Sequence, residues 1–154
     1  MVDDNLFVES KSESPGLVPL NINRAFVFGP DADIHMLRSL HAPPSQTRKY
    51  WNIFIERVDP LVKVLHKPTV TTILRKMGSD FLNIDPPMEA LLFAIYFAVV
   101  TSMKQEDVLL SFLEEKQSLL SRYRYGVEQA LSQAGFLTSQ DLRTLQAFTI
   151  YLVA

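Results

Sequence analysis

His35, His41 and His66 are the side chains of this sequence best suited to moving a proton or holding a metal at neutral pH. None stands four residues from another histidine or beside a glutamate, so no helical turn presents a ligand pair. His41 precedes Pro43-Pro44 in a loop, and His66 falls at a helix end, where an imidazole favours the dipole. All three read as structural. A Gly-x-Ser-x-Gly elbow, a phosphate loop and a dinucleotide fingerprint are missing, and the five glycines are scattered. The sequence holds no cysteine, which excludes a thiol nucleophile, a thiolate zinc site and a disulfide framework. Asp59 and Asp85 each precede a proline, where helix capping accounts for them, and Glu114-Glu115 reads as a solvated step. No catalytic, cofactor-binding or metal-ligating residue is assigned, so the chain reads as a non-enzyme that needs no cofactor.

Two clusters raise nucleic-acid binding. Arg122-Tyr123-Arg124-Tyr125 alternates bases with aromatics, the composition of a stacking platform for single strands. On a helix, neighbours point about 100° apart, so these four do not share a face. Tyr123 falls on the apolar stripe, and Arg124 meets Glu128 one turn on. Residues 47–76 carry net +5, between an N-terminal block of net −3 and a C-terminal block of net −4. Their bases (Arg48, Lys49, Arg57, Lys63, Lys67, Arg75, Lys76) alternate with core-type residues and read as a solvated helical face. With an overall charge of −2 and a pI near 5.9, specific binding to duplex DNA is not expected.

The elements that carry these residues are helical from Pro43-Pro44 onward. Trp51, Phe54, Ile55, Val58, Leu61, Val62 and Leu65 follow the spacing of one helix face, with Ser45 as the expected N-cap. Trp51 and Phe54 are expected in the core. Asp59-Pro60 kinks or splits this helix, because proline lacks the backbone donor and collides with the preceding turn. His66-Lys67-Pro68 ends it, and Thr69 caps a short helix that runs to Lys76 and stops at Gly78. Asp85 followed by Pro86 is a strong start for a helix to about Ser102, apolar on nearly every side. A further helical stretch opens near Gln105 and runs, with room for a break, to a terminating Gly135. Thr138 to Asp141 resembles a capping box and starts a last helix containing Leu142, Leu145, Phe148, Tyr151 and Leu152.

Residues 1–40 differ, with serines, prolines and glycines that leave no helical period. They read as a loose arm, within which Arg24–Phe28 is suited to one strand or an extended stretch. The N-terminus lacks the basic and apolar regions of an export signal. The longest apolar run, Ala90–Val100, has eleven residues, short of the 18–20 or so that span a bilayer. No membrane segment is expected. At 154 residues and 47% hydrophobic content, the chain suits one domain: an all-α bundle of about five or six helices behind a loose arm.

Several stretches in order resemble one family. They are Phe26–Gly29, Leu40–Gln46, Trp51–Phe54 leading to Val58–Thr69, Met88–Ala98, Leu119–Arg124 and Leu145–Phe148. From about Phe26 to Ala154 the chain is similar to the first part of the regulatory (middle homology) domain of fungal-specific transcription factors. Those proteins usually carry a six-cysteine zinc cluster, which this sequence lacks. The resemblance implies an arm at 1–40 and a partial regulatory domain at 41–154. It also implies a nuclear location and regulation of a secondary-metabolite gene cluster or nutrient pathway through protein contacts. The other reading is a helical accessory protein, either a small-molecule binder or a cofactor-free enzyme, or a truncated gene product. Because the last helix stays apolar to its end, exposed side chains there are expected to cause self-association or to need a protein partner. Target genes and any small-molecule effector are not encoded in the pattern.

Overall fold

The computed structural model describes residues 33–154 except Ser79 and Leu82. The stretch Arg24–Phe28 and most of the N-terminal arm lie outside the described residues. Every regular element among the described residues is helical, as the periodicity predicts. The last part of the expected arm is already ordered: Asp33 caps α1 (Ile34–Ser39) by accepting from the His35 N–H, and Leu37 is fully buried. The loop after α1 leads to Pro43, and Pro44 takes the first helical position of α2 (Pro44–Ile53), displacing Ser45 from the expected cap.

Proline reshapes the next segment. Pro60 has no N–H, and its ring crowds the carbonyl one turn back. The chain widens before it into a π-helical turn, Phe54–Val58, in which the Asp59 N–H reaches back five residues to the Phe54 carbonyl. A one-turn helix, α3 (Asp59–Val62), comes next and stops at Lys63, whose φ of 46° is left-handed. Trp51, Phe54 and Val58 are buried as expected. Leu61, assigned to the same stripe, is instead 86% exposed. The extra residue of the π turn rotates the downstream helix by roughly one residue step, and periodicity continued through Pro60 points Leu61 the wrong way.

Helix α4 (Lys67–Met77) is capped at His66, three residues before the expected Thr69, and the His66 Nδ1 pairs with Thr69 Oγ1 at 2.7 Å. Helix α5 (Pro86–Ser102) starts as expected, with the Asp85 carboxylate accepting from the Met88 N–H. Helix α6 (Gln105–Phe112) breaks at Leu113, and α7 (Lys116–Gln133) comes after it. Gly135, at φ 67°, ends α7. Its N–H bonds the Ser132 carbonyl while the Phe136 N–H bonds that of Leu131, a Schellman pair. Helix α8 (Leu142–Val153) is capped by Asp141, which accepts from the Arg143 N–H; the Ser139 hydroxyl accepts from the Asp141 N–H instead of starting the helix.

Helix α5 is the hub. It packs on α7 and α8, and also touches α2 and the π turn. A helix without a polar face has nowhere to sit but between others, and all but one of the residues from Met88 to Val100 are buried. Its closest crossing is with α7, where Gly126 lies against Phe93; a Cβ there would come within 2.5 Å of the ring.

Candidate functional site

Burial decides what each polar side chain can do, and the most deeply buried acid–base pair was unforeseen. Glu89 sits in the first turn of α5, whose apolar surroundings leave its carboxylate no exposed face. His41, from the loop between α1 and α2, meets it with Nε2 at 2.8 Å from Oε1. Both side chains are buried, and the imidazole is stacked on Phe93 at 4.3 Å with Phe81 and Tyr96 around it. Among the described residues, His41 Nδ1 has no hydrogen-bond partner. With one nitrogen spent on Glu89 and aromatic rings on its flanks, the imidazole ties the α1–α2 loop to the hub. One signal was available in the sequence: a lone acid in a helix apolar all round has to find its partner inside the protein.

Next to this pair lies a tyrosine cluster. The hydroxyls of Tyr50 and Tyr123 are 3.1 Å apart, and Tyr96 packs against both rings. Burial pushes all three phenols well above the usual tyrosine range, and for Tyr50 the neighbouring Tyr123 adds to it. Tyr50 also stacks in parallel on Phe112 of α6 at 4.1 Å. Lys49 closes that contact from outside, with its amine over the Phe112 ring and bonded to the Ser111 carbonyl at 2.8 Å.

The other candidate residues are spread over the molecule. His35 is exposed on α1. Asp59 is buried and paired with Lys67 at 3.1 Å, so an ion pair takes the place of the expected cap. Asp85 shares Arg143 with Asp141, and that guanidinium holds the Asp141 carboxyl below the usual carboxylate range. Glu114 is not simply solvated: it receives both arms of the Arg122 guanidinium across the α6–α7 bend. Tyr123 points inward, Tyr125 is partly exposed and Arg124 pairs with Glu128, so the Arg-Tyr run forms no platform. The Tyr151 hydroxyl donates to the same Glu128, and burial with that carboxylate pushes it up to about 12. Among the described residues, no group of three or more His, Asp or Glu is arranged to hold a metal ion, and no helix is long and apolar enough to cross a membrane.

Among the described residues, the surface features that bear on function include two concave regions and two apolar edges. A cavity of about 520 Å³ is floored by Ile73, Met77, Ile84 and Met88, with Lys76, Asp80 and Arg143 at its edge. A groove of about 430 Å³ runs between the π turn and α3 on one side and the ends of α5 and α8 on the other. Val58, Val62, Val64 and Val153 line it, with Leu61 and Arg57 at the rim. On α8, Leu142, Leu145, Leu152 and Val153 are exposed while Thr144, Ala147 and Ile150 face the core. At 100° per residue these are opposite faces of one helix. The exposed apolar side chains expected of the last helix are thus present. The second edge is on α6, where Leu109, Leu110 and Leu113 are exposed.

The chain is similar over most of its length to fungal regulators. It is 39% identical over 134 residues to the aurofusarin cluster transcription factor of Gibberella zeae, covering 81% of this chain and 20% of that protein. To the C6 finger domain transcription factor of Aspergillus niger it is 31% identical over 148 residues, covering 94% and 19%. The pyriculol/pyriculariol biosynthesis cluster transcription factor of Pyricularia oryzae is 29% identical over 146 residues, covering 94% and 20%. The chain therefore spans about a fifth of the length of these relatives. No family model and no solved structure matches it.

Proposed function

This chain is a homologue of one segment of fungal C6 finger transcription factors, and on that premise we propose that it is a transcription-regulatory module acting through protein contacts in the nucleus. The observation that carries the reading is the set of relatives, several of them named for the biosynthetic clusters they serve. By the same kinship its target is a secondary-metabolite gene cluster, and it is not an enzyme. Physical features agree with such a role. The two buried carboxylates among the described residues are each paired, Glu89 with His41 and Asp59 with Lys67. What the surface offers is apolar side chains on α6, α8 and the rim of the groove. Large exposed side chains of this kind mark contact with another protein.

DNA reading is assigned elsewhere. The chain's net charge of −2 supplies little phosphate affinity, and without cysteine it cannot build the zinc module named in its relatives. Two measurements test the reading together. Fused to a heterologous DNA-binding module, the full chain should change transcription of a reporter in a fungal host. Alone in an anisotropy titration, it should not distinguish one DNA duplex from another. A silent reporter with the fusion present in the nucleus, or discrimination of about 100-fold between duplexes, overturns the proposal.

A small-molecule role has one observation in its favour, the cavity floored by Ile73, Met77, Ile84 and Met88 with Lys76 at its edge. Its charged edge is balanced, Lys76 and Arg143 against Asp80 and Asp85, so the floor suits an apolar molecule, which would act as an effector of the same regulatory role.

A further inference from the structure

Arg57 and Lys63 of the basic block stand far from the acidic helix α6 in the sequence, yet the fold brings them and α6 to the C-terminal end of α5. The groove there takes Ala98, Thr101 and Ser102 from α5, and α6 begins three residues later at Gln105. Each surface is built as half of a contact. On the groove side, the π turn and the left-handed Lys63 interrupt an otherwise regular helix, leaving Leu61 86% exposed beside Val58, Val62 and Val64. Arg57 on the rim and Lys63 beside it are exposed, and neither has an ion-pair partner among the described residues.

On the α6 side, the inner face is firmly held. Val108 and Phe112 are buried, Phe112 stacks on Tyr50, and Lys49 clamps the Ser111 carbonyl. Lys116 fastens the next turn through the Thr101 and Met103 carbonyls. The outer face then presents Leu109, Leu110 and Leu113, the last two 79% and 84% exposed. Leu113 holds a left-handed φ of 59°, a conformation that bulky side chains avoid, with no packing of its side chain to offset it. Around these leucines, Glu106, Asp107 and Glu115 have no ion-pair partner among the described residues. The result is an apolar knuckle whose acids, Glu106, Asp107 and Glu115, outnumber the bases beside it, Lys104 and Lys116, facing a rim where Arg57 and Lys63 outnumber Glu56.

We infer that the occupant of the groove is a second copy of this chain, its Leu109–Leu110–Leu113 knuckle seated between the π turn and α8, with Glu106 and Asp107 against Arg57 and Lys63. Exchanged reciprocally about a two-fold axis, this contact closes the assembly as a dimer, and that is the arrangement we infer. Helix-in-groove docking of this kind takes its anchors from one turn of the inserted helix, as the i, i+1 and i+4 spacing of the three leucines provides. The inference rests on the protein-contact reading above and names one partner for it.

The test uses the full 154-residue chain and two single variants, Leu61→Ser in the groove rim and Leu110→Ser in the knuckle. Both positions are exposed, so circular dichroism, and melting at concentrations where the wild type is monomeric, should match the wild type. Sedimentation should give a wild-type dimer that weakens between about 0.05 and 0.5 M salt, since the charge contacts are screened. Each variant should dimerise at least tenfold more weakly. An equimolar mixture should form mixed dimers more tightly than either variant alone, because one intact groove then faces one intact knuckle. This rescue separates a specific pairing from general stickiness. A monomeric wild type, a dimer unmoved by either variant, or a mixture no tighter than its parts overturns the inference. In those cases the surfaces serve another protein or the N-terminal segment. A chain that fails here and still drives the reporter leaves the protein-contact reading standing; a chain that dimerises with a silent reporter does the reverse.

Discussion

The two ends of α5 solve opposite problems. At its N-terminal end, Glu89 is buried against His41 under Phe81, Phe93 and Tyr96, and the polar groups face one another inside. At the C-terminal end, Ala98, Thr101 and Ser102 open onto a groove with Leu61 on its rim. At one end a loop closes over the acid with the partner it needs, beside the cavity that Met88 helps to floor; at the other an apolar groove is left accessible. The contrast shows how a single hydrophobic helix can bury a polar pair at one end and leave apolar surface open at the other. A buried ion pair is weak evidence for net stability, yet removing one member is costly, so the closed end is sensitive to change while the open end tolerates it.

The sharpest way to break this contrast is His41→Ala. It strands the Glu89 carboxylate in an apolar site and should cost about 3–5 kcal/mol in urea unfolding. The double variant His41→Phe, Glu89→Leu should recover most of that loss, since replacing both partners removes the desolvated charge. A single variant that melts like the wild type would mean that Glu89 reaches water, and the closed end would not be closed. Leu61→Ser at the open end should stay within about 0.5 kcal/mol.

A smaller effect is expected at the crossing that seats α7 on the hub. Gly126→Ala puts a methyl against the Phe93 ring and should cost about 1–3 kcal/mol, despite alanine's better helix propensity. A stabilised Gly126→Ala would show that Phe93 moves aside freely, and the close approach of α5 and α7 would lose its importance.

The last effect is absent at neutral pH. Tyr50, Tyr96, Tyr123 and Tyr151 all hold their protons more tightly in the fold than an unfolded tyrosine does, chiefly because burial disfavours the phenolate. Their folded values lie above the unfolded one. The stability linked to them is therefore complete below about pH 10 and drains away as the pH rises toward and beyond about 12, the value for Tyr151. Absorbance at the phenolate band and far-ultraviolet ellipticity should change together in an alkaline titration. Phenolate formation well before loss of helix would show that the tyrosine cluster is open to solvent.

Much of this architecture was legible in the chain. Asp85-Pro86 marks the start of α5 because an aspartate cap and a proline at the first helical position are local preferences. Gly135 stops α7 for an equally local reason, a left-handed backbone that glycine adopts without strain. The burial of Trp51, Phe54 and Tyr123 came from helical period alone. Leu61 escaped that logic because a π turn adds a residue, and the widening is a response to Pro60 that a fixed period does not register. The break between α6 and α7 was open in the sequence, but the left-handed leucine at it was not.

Tertiary structure alone decided which charges are spent and which are free. Glu89 and His41 lie 48 residues apart, and Asp85 and Arg143 lie 58 apart. No local pattern encodes such pairs, because they form only when separate helices are packed. The same packing turned one face of α8 inward and left Leu142, Leu145 and Leu152 outside, a choice both faces were apolar enough to allow. Composition and period determined that this chain is helical and that α5 is its core, since both arise from burying apolar area at 3.6 residues per turn. Where its groove and exposed apolar faces lie depended on how the helices met, because a groove is a property of the space between elements and belongs to none of them singly.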